Sequence, residues 1–385
     1  MNFQLNDEQQ QLQDSVGRLL ADHCSFEQRR AIVASADGRS AALYGRLAEL
    51  GVTALLVPEA QGGFGGRLED LLPVLQACGA ALCTEPVLAS AVLGATALRV
   101  AGGEPAARLL PGLAQGTTVV AWAHDEPGTR HADLWIETRA EKGPGGWTIS
   151  GVKLPVISGP QAQHFVVSAR IAGAADATQG CAFFVVDAGA AGLQRRDFRL
   201  VDDTPASELT FNATPAQALA DPLSDPLSDP HDGAAFQRIL TAVNAAGIAA
   251  LCADMVGAAQ AAYRLALDYL NVRKQFGRLI GENQALRHRA ADMLVSLEMA
   301  RSMAIAAAVA ADRPEAEDSA ADLLRAKLIV GRHARQVCQH AIQCHGGIGM
   351  TEEYAVGHCL RRVHVADHLF GDADAQARRL AALLA

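Results

Sequence analysis

Two groups of residues, far apart in the chain, have side chains and backbone suited to binding a pyrophosphate. Arg273 supplies a cation with a fixed fork of donors. Gln343 supplies an amide donor, and Gly346 and Gly347 follow it. A guanidinium fork and amides bind phosphate oxygens, and glycines let a bound group approach the backbone closely. These residues are compatible with a site for the pyrophosphate of a dinucleotide, although each group alone is a weak signal, because an arginine followed by Phe-Gly is ordinarily a helix end.

The elements that must position these residues are helices. Apolar residues recur at helical spacing through the C-terminal part of the chain. Gly277 and Gly281 mark a break between two helices, and Gln284 begins the second. We expect helices at residues 236–250, 284–311, 320–344 and 356–384. The pyrophosphate-binding residues thus lie at helix ends.

The rest of the chain divides into a helical part and a β-rich part. The first ~115 residues are rich in alanine and in apolar residues three and four apart, which indicates helices. Short β-rich runs separated by turn residues follow, and they predict a small antiparallel barrel or sandwich. The predicted strands are residues 119–123, 134–138, 147–150, 165–169, 182–186 and 208–211.

Two segments contain residues that break regular structure. Residues 221–230 repeat a unit of proline and aspartate, which predicts a linker or an exposed loop. Residues 62–66 contain four glycines, which could form a phosphate cradle. Glycines alone specify only unusual backbone angles, so we favour a structural connection there.

Composition excludes several classes of protein. The net charge is -9, with acids and bases interspersed, so neither nucleic acid nor a membrane surface is an expected partner. The apolar stretch 242–262 contains Asn244 and Asp254, which favours a buried helix over a membrane span. The N-terminus lacks the pattern of a secretory signal. The eight cysteines are scattered singly, as expected for buried thiols in a reducing compartment. We expect a cytoplasmic protein.

The run 273–277 and the run 343–354 together resemble the C-terminal signature of the acyl-CoA dehydrogenase family. The resemblance covers nearly the whole chain. It implies an α+β multidomain fold with an N-terminal α-helical domain at 1–117, a middle β-barrel or sandwich domain at 118–218 and a C-terminal helical bundle at 219–385. It also implies FAD as the cofactor, contacted from a neighbouring subunit. The residues implied in this contact are Arg273, Phe276, Gln284, Gln343, Cys344, His345, Gly346 and Gly347.

The catalytic base of the family is missing. Family members remove the α-proton of an acyl-CoA with a glutamate in a Tyr-Glu-Gly-Thr run, and hydride then passes from the β-carbon to the flavin. Here the corresponding run is 369–372, and Phe370 stands where the glutamate belongs. Phenylalanine cannot accept a proton. Some relatives place the glutamate on an earlier helix, near Gly247, but no glutamate occurs between residues 233 and 281. The catalytic residue therefore stays unassigned.

Four aspartates are conceivable substitutes for the glutamate. An aspartate reaches one methylene less far, and a displaced carboxylate would miss the geometry that proton removal requires. Charge on a helix surface, or helix capping, is the alternative interpretation. The four are Asp254, Asp268, Asp367 and Asp372.

The flavin-ring half of the site is also altered. Where the family has a tryptophan and a threonine that contact the flavin ring, this chain has Pro155 and Ile157. The earlier loop 125–128 keeps only part of the family's Thr-Glu-Pro run.

Clustered histidines raise the possibility of a metal site. His364 and His368 are four residues apart, which is compatible with two ligands on one helix face. No third ligand is set by spacing, so we expect no metal. The other candidates are His340, Cys344, His345, His358 and Cys359.

The resemblance implies α,β-dehydrogenation of an acyl-CoA, with electrons passed to an electron-transfer flavoprotein. Because the losses fall in one half of the site, we expect a heterotetramer in which a paralogous subunit supplies the glutamate, as in pimeloyl-CoA dehydrogenase small subunits and paired steroid-side-chain dehydrogenases. One alternative is a homotetramer with Asp367 or Asp372 as a relocated base. The other is a catalytically silent subunit that binds acyl-CoA or stabilises its partner.

Overall fold

A computed structural model of the chain describes residues 5–35, 38–129, 131–219 and 233–384. The predicted linker at 221–230 lies outside them. The chain divides into two compact units. The first comprises Met1–Ala34, Leu68–Cys83 and Gly247–Ala385, and the second comprises Ser35–Arg67 and Thr84–Ala246.

Helices at both ends of the described chain flank a β-rich middle. Asn6 caps the first helix, because its side chain accepts from the Gln9 backbone N–H and the Gln9 side chain accepts from the Asn6 N–H. The helices are α1 (Asp7–His23), α2 (Phe26–Ala34), α3 (Ala41–Glu49), α4 (Leu68–Ala80), α5 (Ala95–Ala101), α6 (Gly103–Ala114), α7 (Ala234–Val272), α8 (Gln284–Ala311), α9 (Ser319–His345), α10 (Ala355–His368) and α11 (Ala373–Leu384).

Helix α7 is the buried helix that the sequence predicts. It has the length and composition of a membrane span, but 89% of its most apolar stretch is buried inside the protein. Within the first unit it lies against α4 at glycines. A Cβ on Gly257 would lie 1.9 Å from the carbonyl oxygen of Gln76, and one on Gly79 would lie 2.0 Å from that of Asp254. The two backbones therefore pack in direct contact.

The β-rich part, within the second unit, is a barrel. Its strands are β1 (Val120–Ala123), β2 (Arg139–Gly143), β3 (Gly146–Ile157), β4 (His164–Arg170), β5 (Cys181–Asp187), β6 (Leu193–Arg199) and β7 (Pro205–Ala218). Pairing runs β4, β2, β3, β7, β5 and back to β4, so the sheet closes on itself. β1 and β6 pair at the outside with β4 and β7. Apolar side chains such as Phe165, Phe184 and Leu209 fill the interior.

The predicted fold class is confirmed, with local differences. The barrel is not wholly antiparallel, because β2 runs parallel to β4 within the closed ring and β1 runs parallel to β4 at its outside. The strand expected at 134–138 is wrong, and the nearest strand is β2. Strand β6 was not predicted, because most of its residues are exposed and polar and no alternation marks it. The helix expected at 356–384 is broken at 369–372, where Phe370 and Gly371 have positive φ angles.

Two structural interpretations from the sequence agree with the structure. The eight cysteines are free and buried. In the 62–66 segment, a Cβ on Gly63 would lie 2.1 Å from the carbonyl oxygen of Val57. Close backbone packing is therefore reason enough for a glycine there.

Candidate functional site

Arg273 and Phe276 lie on a short hairpin that follows α7. Its strands are β8 (Lys274–Gln275) and β9 (Arg278–Leu279). Phe276 and Gly277 form the turn, with φ angles of 52° and 80°, as in the tight turns that favour hairpins. The Phe276 side chain is fully exposed. A phenylalanine in this conformation costs about 1 kcal/mol, so neither burial nor backbone preference explains it within this chain.

Gln343 and the two glycines lie at the end of α9. The helix stops at Gly346, which has a φ of 65°, and the turn Gly346–Met350 follows. A Cβ on Gly347 would meet nothing within 4 Å, and its φ is not positive. The chain's own packing and conformation therefore give no reason for glycine at 347. An open backbone is what close approach by a ligand requires.

The remaining predicted contact residues divide into exposed and buried ones. Gln343 and Gln284, the first residue of α8, are exposed, as is Arg273. Cys344 and His345 are buried. The two buried side chains face the protein interior, so only their backbone is available to a ligand on this surface.

Phe370 and Gly247, the two positions where the family resemblance implies a glutamate, face each other in the structure. A Cβ on Gly247 would lie 2.6 Å from Cζ of the Phe370 ring and within 2.9 Å of two further ring atoms. The phenyl ring therefore occupies the space that a side chain on α7 would need. Sequence spacing indicated the two positions separately, and in the structure they are in contact.

The turn that carries Phe370 is held by Lys327, a residue that the sequence interpretation missed. Lys327 of α9 is fully buried. Its Nζ lies 2.8 to 3.3 Å from four carbonyl oxygens at the end of α10 and in the turn, those of Ala366, Asp367, Leu369 and Gly371. Burial lowers the pKa of Lys327 to about 8, an effect partly offset by the nearby Asp367.

Gln376 of α11 adds a second tie to the same turn. Its Nε2 donates to the carbonyl oxygens of Phe370 at 2.7 Å and Gly371 at 3.0 Å. Phe370 has a φ of 59°, a conformation that costs free energy for a non-glycine residue and persists when surrounding contacts fix it. The contacts thus fix the backbone conformation at residue 370, although the Phe370 side chain is not a base.

The four aspartates have other surroundings. The Asp254 carboxylate pairs with both the Nε and Nη2 of Arg362, at 2.8 and 3.0 Å. Asp372 accepts from the backbone N–H of Ala375 and so caps α11. Asp268 is exposed. Asp367 is buried against α9, where a Cβ on Gly331 would lie 2.1 Å from its Oδ1. None of these contacts directs a carboxylate to the Phe370 ring.

In the β-barrel, the altered loop and strand hold a buried ion pair. Pro155 and Ile157 lie on β3 and are half-buried. Lys153, on the same strand, is fully buried, and its Nζ lies 2.7 Å from Glu126 Oε1. Glu126 is the glutamate of the partly matching loop, so its carboxylate is engaged within the barrel.

His124 belongs to the same buried network. Lys153 Nζ donates to Ser168 Oγ at 2.8 Å. Ser168 Oγ lies 2.9 Å from His124 Nδ1, and His124 Nε2 lies 2.8 Å from the carbonyl oxygen of Asp133. Because a carbonyl only accepts, Nε2 carries the hydrogen and Nδ1 accepts from the serine. Burial lowers the pKa of His124 to about 3, helped by the Lys153 charge.

This lowered pKa predicts acid sensitivity of the barrel. Between pH 6.5 and about 3 the unfolded state binds a proton at His124 that the folded state does not, so stability falls as pH falls by up to ~1.4 kcal/mol per pH unit. His124→Asn should cost stability at pH 7. The loss in free energy of unfolding, relative to the unmodified protein, should be smaller by about 2.7 kcal/mol at pH 4.5 than at pH 7. Urea unfolding of both proteins, followed by tryptophan fluorescence, measures this. A deficit that is constant with pH would show that His124 is not held neutral.

Within the described ranges, no group of three or more histidine, cysteine, aspartate or glutamate side chains is placed to hold a metal ion. His358 Nε2 lies 3.1 Å from the carbonyl oxygen of Glu352, and His368 Nδ1 lies 3.0 Å from that of His364. These histidines bond to the backbone.

Three family models match successive parts of the chain. The N-terminal domain of acyl-CoA dehydrogenase matches residues 6–117, the middle domain 119–214 and the C-terminal domain 236–385. The chain belongs to the acyl-CoA dehydrogenase family. Its relatives in this family are oxidoreductases acting on CH–CH bonds of acyl-CoA, and FAD is the cofactor.

Named relatives are distant in sequence but align over nearly full length. Isovaleryl-CoA dehydrogenase of Arabidopsis thaliana is 27% identical over 92% of this chain and 86% of its own. Acyl-CoA dehydrogenase IpdE2 of Mycobacterium tuberculosis is 29% identical over 97% of this chain and 96% of its own. Among solved structures, a variant of the Tcur3481-Tcur3483 steroid acyl-CoA dehydrogenase is 28% identical, covers 98% of each chain and has a TM-score of 0.83.

A structure of PigA with FAD and proline has a TM-score of 0.85 at 24% identity, with 100% of this chain and 99% of that chain covered. At this identity the similarity is evidence for the fold alone.

The residues of the candidate surface fit FAD. Arg273, Gln284 and Gln343 expose a cation and amides, and Gly347 leaves the backbone open. A dinucleotide requires this chemistry at its pyrophosphate. Arg273 would supply charge to the phosphates, the glutamines would donate from their amides, and the Gly346–Gly347 backbone would allow close approach.

Proposed function

We propose that this chain serves α,β-dehydrogenation of an acyl-CoA thioester as the subunit that lacks the catalytic base in a mixed oligomer. One observation carries the proposal: the Phe370 ring fills the space over Gly247. Both positions where the family places its glutamate are thereby occupied by groups that cannot take a proton. A second subunit must supply the base.

The reaction divides between a base and a hydride acceptor. A carboxylate removes the α-proton of the thioester, and FAD, when bound, accepts hydride from the β-carbon. In our proposal this chain contributes residues that bind FAD and does not contribute the base. Arg273, Phe276, Gln284 and the 343–347 run bind the FAD of the neighbouring subunit, and the partner's β-domain contacts the flavin ring.

Exposed apolar residues support contact with another subunit. On α8, Leu294, Val295 and Met299 are 42%, 64% and 49% exposed. Only 44% of the most apolar stretch of this helix is buried within the chain. Phe276, itself one of the proposed FAD residues, and Met350, which follows the 343–347 run, are also exposed. Apolar surface of this extent is typical of a protein interface.

The name of a similar protein supports a paired assembly. The steroid acyl-CoA dehydrogenase at 28% identity carries two joined protein names, Tcur3481 and Tcur3483. We propose the same kind of pairing here, with a tetramer as the assembly. We further propose an electron-transfer flavoprotein as the electron acceptor and the cytoplasm as the location.

Purification of the tagged chain from its native host tests the subunit role. We expect a paralogue that retains Trp-x-Thr and Tyr-Glu-Gly-Thr to co-purify, and the recombinant chain alone to leave acyl-CoA unoxidised. Replacement of Arg273 by alanine should lower the flavin content of the assembly about tenfold, because it removes the cation at the pyrophosphate. Absorbance at the flavin maximum, per mole of chain, measures it.

Arg325→Ala is the matched control, because Arg325 is an exposed arginine that pairs with Asp322 on α9. It should leave the flavin content unchanged. If the single recombinant protein oxidises acyl-CoA with full FAD occupancy, the mixed-subunit proposal is wrong. A homo-oligomer would then need a relocated base, which Asp367→Asn and Asp372→Asn would reveal. An assembly with flavin that reduces no acyl-CoA in any mixture would indicate a silent subunit.

A further inference from the structure

Three aromatic rings lie in contact behind the proposed FAD surface. The His345 ring stacks on Tyr269 with centroids 4.6 Å apart and an interplanar angle of 29°. It also contacts Tyr354, with centroids 4.8 Å apart and an interplanar angle of 52°. His345 itself is only 4% exposed. We refer to Tyr269, His345 and Tyr354 as the ring stack.

Hydrogen bonds assign the tautomer of His345. Its Nδ1 lies 2.7 Å from the carbonyl oxygen of Ala341, and its Nε2 lies 3.2 Å from the hydroxyl of Tyr354. A carbonyl oxygen only accepts, so Nδ1 carries the hydrogen. Nε2 of the neutral ring then accepts from the Tyr354 hydroxyl. Both ring nitrogens are satisfied without a positive charge.

The ring stack connects the two segments of the FAD surface. Tyr269 lies one helical turn before Arg273, and its carbonyl oxygen accepts from the Arg273 backbone N–H at 2.9 Å. His345 directly precedes Gly346, and Tyr354 directly precedes α10. The Arg273 hairpin and the Gly346–Met350 turn are thus both attached to the same packed cluster, the first through Tyr269 and the second through His345.

We propose that His345, as a neutral imidazole held between Tyr269 and Tyr354, is a positioning residue that fixes the Gly346–Gly347 turn relative to Arg273 for FAD binding. This inference rests on the proposed FAD surface. His345 does not touch the cofactor with its side chain, because that side chain is buried. It acts through the backbone that follows it, and it makes FAD binding depend on pH.

Acid should disturb this arrangement in a specific way. A proton on Nε2 turns it into a donor, so the Tyr354 hydroxyl must rotate to accept, and the proton places a charge on a buried ring. Burial lowers the pKa of His345, and the carbonyl oxygens of Ala341 and Leu265 partly offset this effect. The neutral ring is therefore favoured at pH 7, and the arrangement is lost only as pH falls through this lowered pKa.

Among the described residues, two charged groups act on the stack or on the neighbouring Cys344. From α7, Asp268 acts on Tyr354, and from α8, Arg289 acts on the Cys344 thiol. Tyr354 remains neutral in this range, because burial raises its pKa. The titratable and charged groups at the stack are thus Asp268, Tyr269, Arg289, Cys344 and Tyr354.

Two conservative variants test the proposal in the assembly purified from the native host. His345→Phe keeps a stacking ring but loses both hydrogen bonds, and Tyr354→Phe loses one. We expect the Kd for FAD at pH 7.5 to rise about tenfold in His345→Phe, because two hydrogen bonds are lost. In Tyr354→Phe only one hydrogen bond is lost, so the rise should be smaller. From pH 7.5 to pH 5 the Kd should rise in the unmodified protein and stay flat in His345→Phe.

A second measurement does not depend on cofactor loading. Amide hydrogen exchange of the Gly346–Met350 turn should be faster in both variants than in the unmodified protein at the same pH. His368→Phe is the matched control. His368 makes the same type of bond, from Nδ1 to the carbonyl oxygen four residues earlier at 3.0 Å, but it is exposed. It should change neither measurement.

The outcomes separate this inference from the proposed function. If Arg273→Ala weakens FAD binding but His345→Phe and Tyr354→Phe change neither the Kd, its pH dependence nor amide exchange, His345 is not a positioning residue. If Arg273→Ala also leaves FAD binding unchanged, the proposed FAD surface itself is wrong.

Discussion

Phe370→Glu should give this chain the proton-removing group that it lacks. The turn that carries residue 370 is fixed by Lys327 and Gln376, so a carboxylate placed there inherits a defined position over Gly247. A positioned general base contributes 10²- to 10⁴-fold to proton transfer. We expect an increase of at least about 10²-fold in removal of the α-proton of an acyl-CoA.

Exchange of the α-proton for deuterium in D₂O measures this step by itself, because exchange needs a base and no hydride acceptor. Butyryl-CoA, isovaleryl-CoA and octanoyl-CoA cover short, branched and longer chains. The unmodified chain should exchange at the rate of buffer. Phe370→Gln, which has the same shape as the glutamate variant but no basic group, is the control. Equal rates in the Glu and Gln variants would mean that position 370 does not face the substrate.

The contact with Gly247 supplies a complementary test. Gly247→Glu alone should fail to exchange, because its Cβ would lie 2.6 Å from the Phe370 ring and overpacking of this kind destabilises a core. In a Gly247→Glu, Phe370→Gly double variant the ring is removed and the glutamate has room. Exchange in the double variant and none in Gly247→Glu would show that the ring blocks the second base position.

The sequence indicated candidate positions for the site, but not what surrounds them. Motif spacing indicated Arg273, Gln343 and Phe370, because such motifs depend on local backbone at helix ends. It also placed Gly247 by counting along one helix. That Phe370 and Gly247 meet could not be predicted, because contact between α7 and the turn after α10 depends on packing of the first unit.

The burial of two charged residues was the main feature that the sequence did not predict. Lys327 occurs in a helix with many charged residues, and Lys153 in a strand with mixed polarity, so neither position suggested burial. Both are fully buried in the structure. A lysine is almost never buried without a partner, and their partners are backbone carbonyls and a glutamate 27 residues away along the chain. Such pairings are tertiary and leave no periodic signal.

Loss of the Lys153 charge should be the most damaging change to the barrel. Lys153 Nζ donates to Glu126 Oε1 at 2.7 Å, to Ser168 Oγ at 2.8 Å and to the His124 carbonyl oxygen at 2.9 Å. Lys153→Met keeps much of the side-chain volume but leaves the Glu126 carboxylate buried without a cation. Breaking a buried pair in this way costs about 3–5 kcal/mol. We expect that loss in the free energy of unfolding at pH 7, measured by urea unfolding.

The pH dependence identifies the cause of this loss. Burial by itself raises the pKa of Glu126, and the Lys153 charge, with hydrogen bonds from Thr138 and Glu137, more than offsets it, so the net pKa is lowered. Burial also lowers the pKa of Lys153. We take the pair as ionised, because Nζ has three acceptors. Without the lysine, the effect of burial is opposed only by the hydrogen bonds from Thr138 and Glu137, so the pKa of Glu126 rises.

The stability deficit of Lys153→Met should therefore be largest above that raised pKa and should shrink as pH falls and Glu126 takes up a proton. Glu126→Gln in the same background removes the charge altogether. If the deficit comes from an unpaired carboxylate, the double variant should be more stable than Lys153→Met at pH 7, and its deficit should no longer shrink in acid. A double variant as unstable as the single one would assign the loss to the Lys153 hydrogen bonds to Ser168 and His124. Lys153 would then stabilise the barrel as a hydrogen-bond donor. Glu126 would be present because the buried lysine requires a counter-charge.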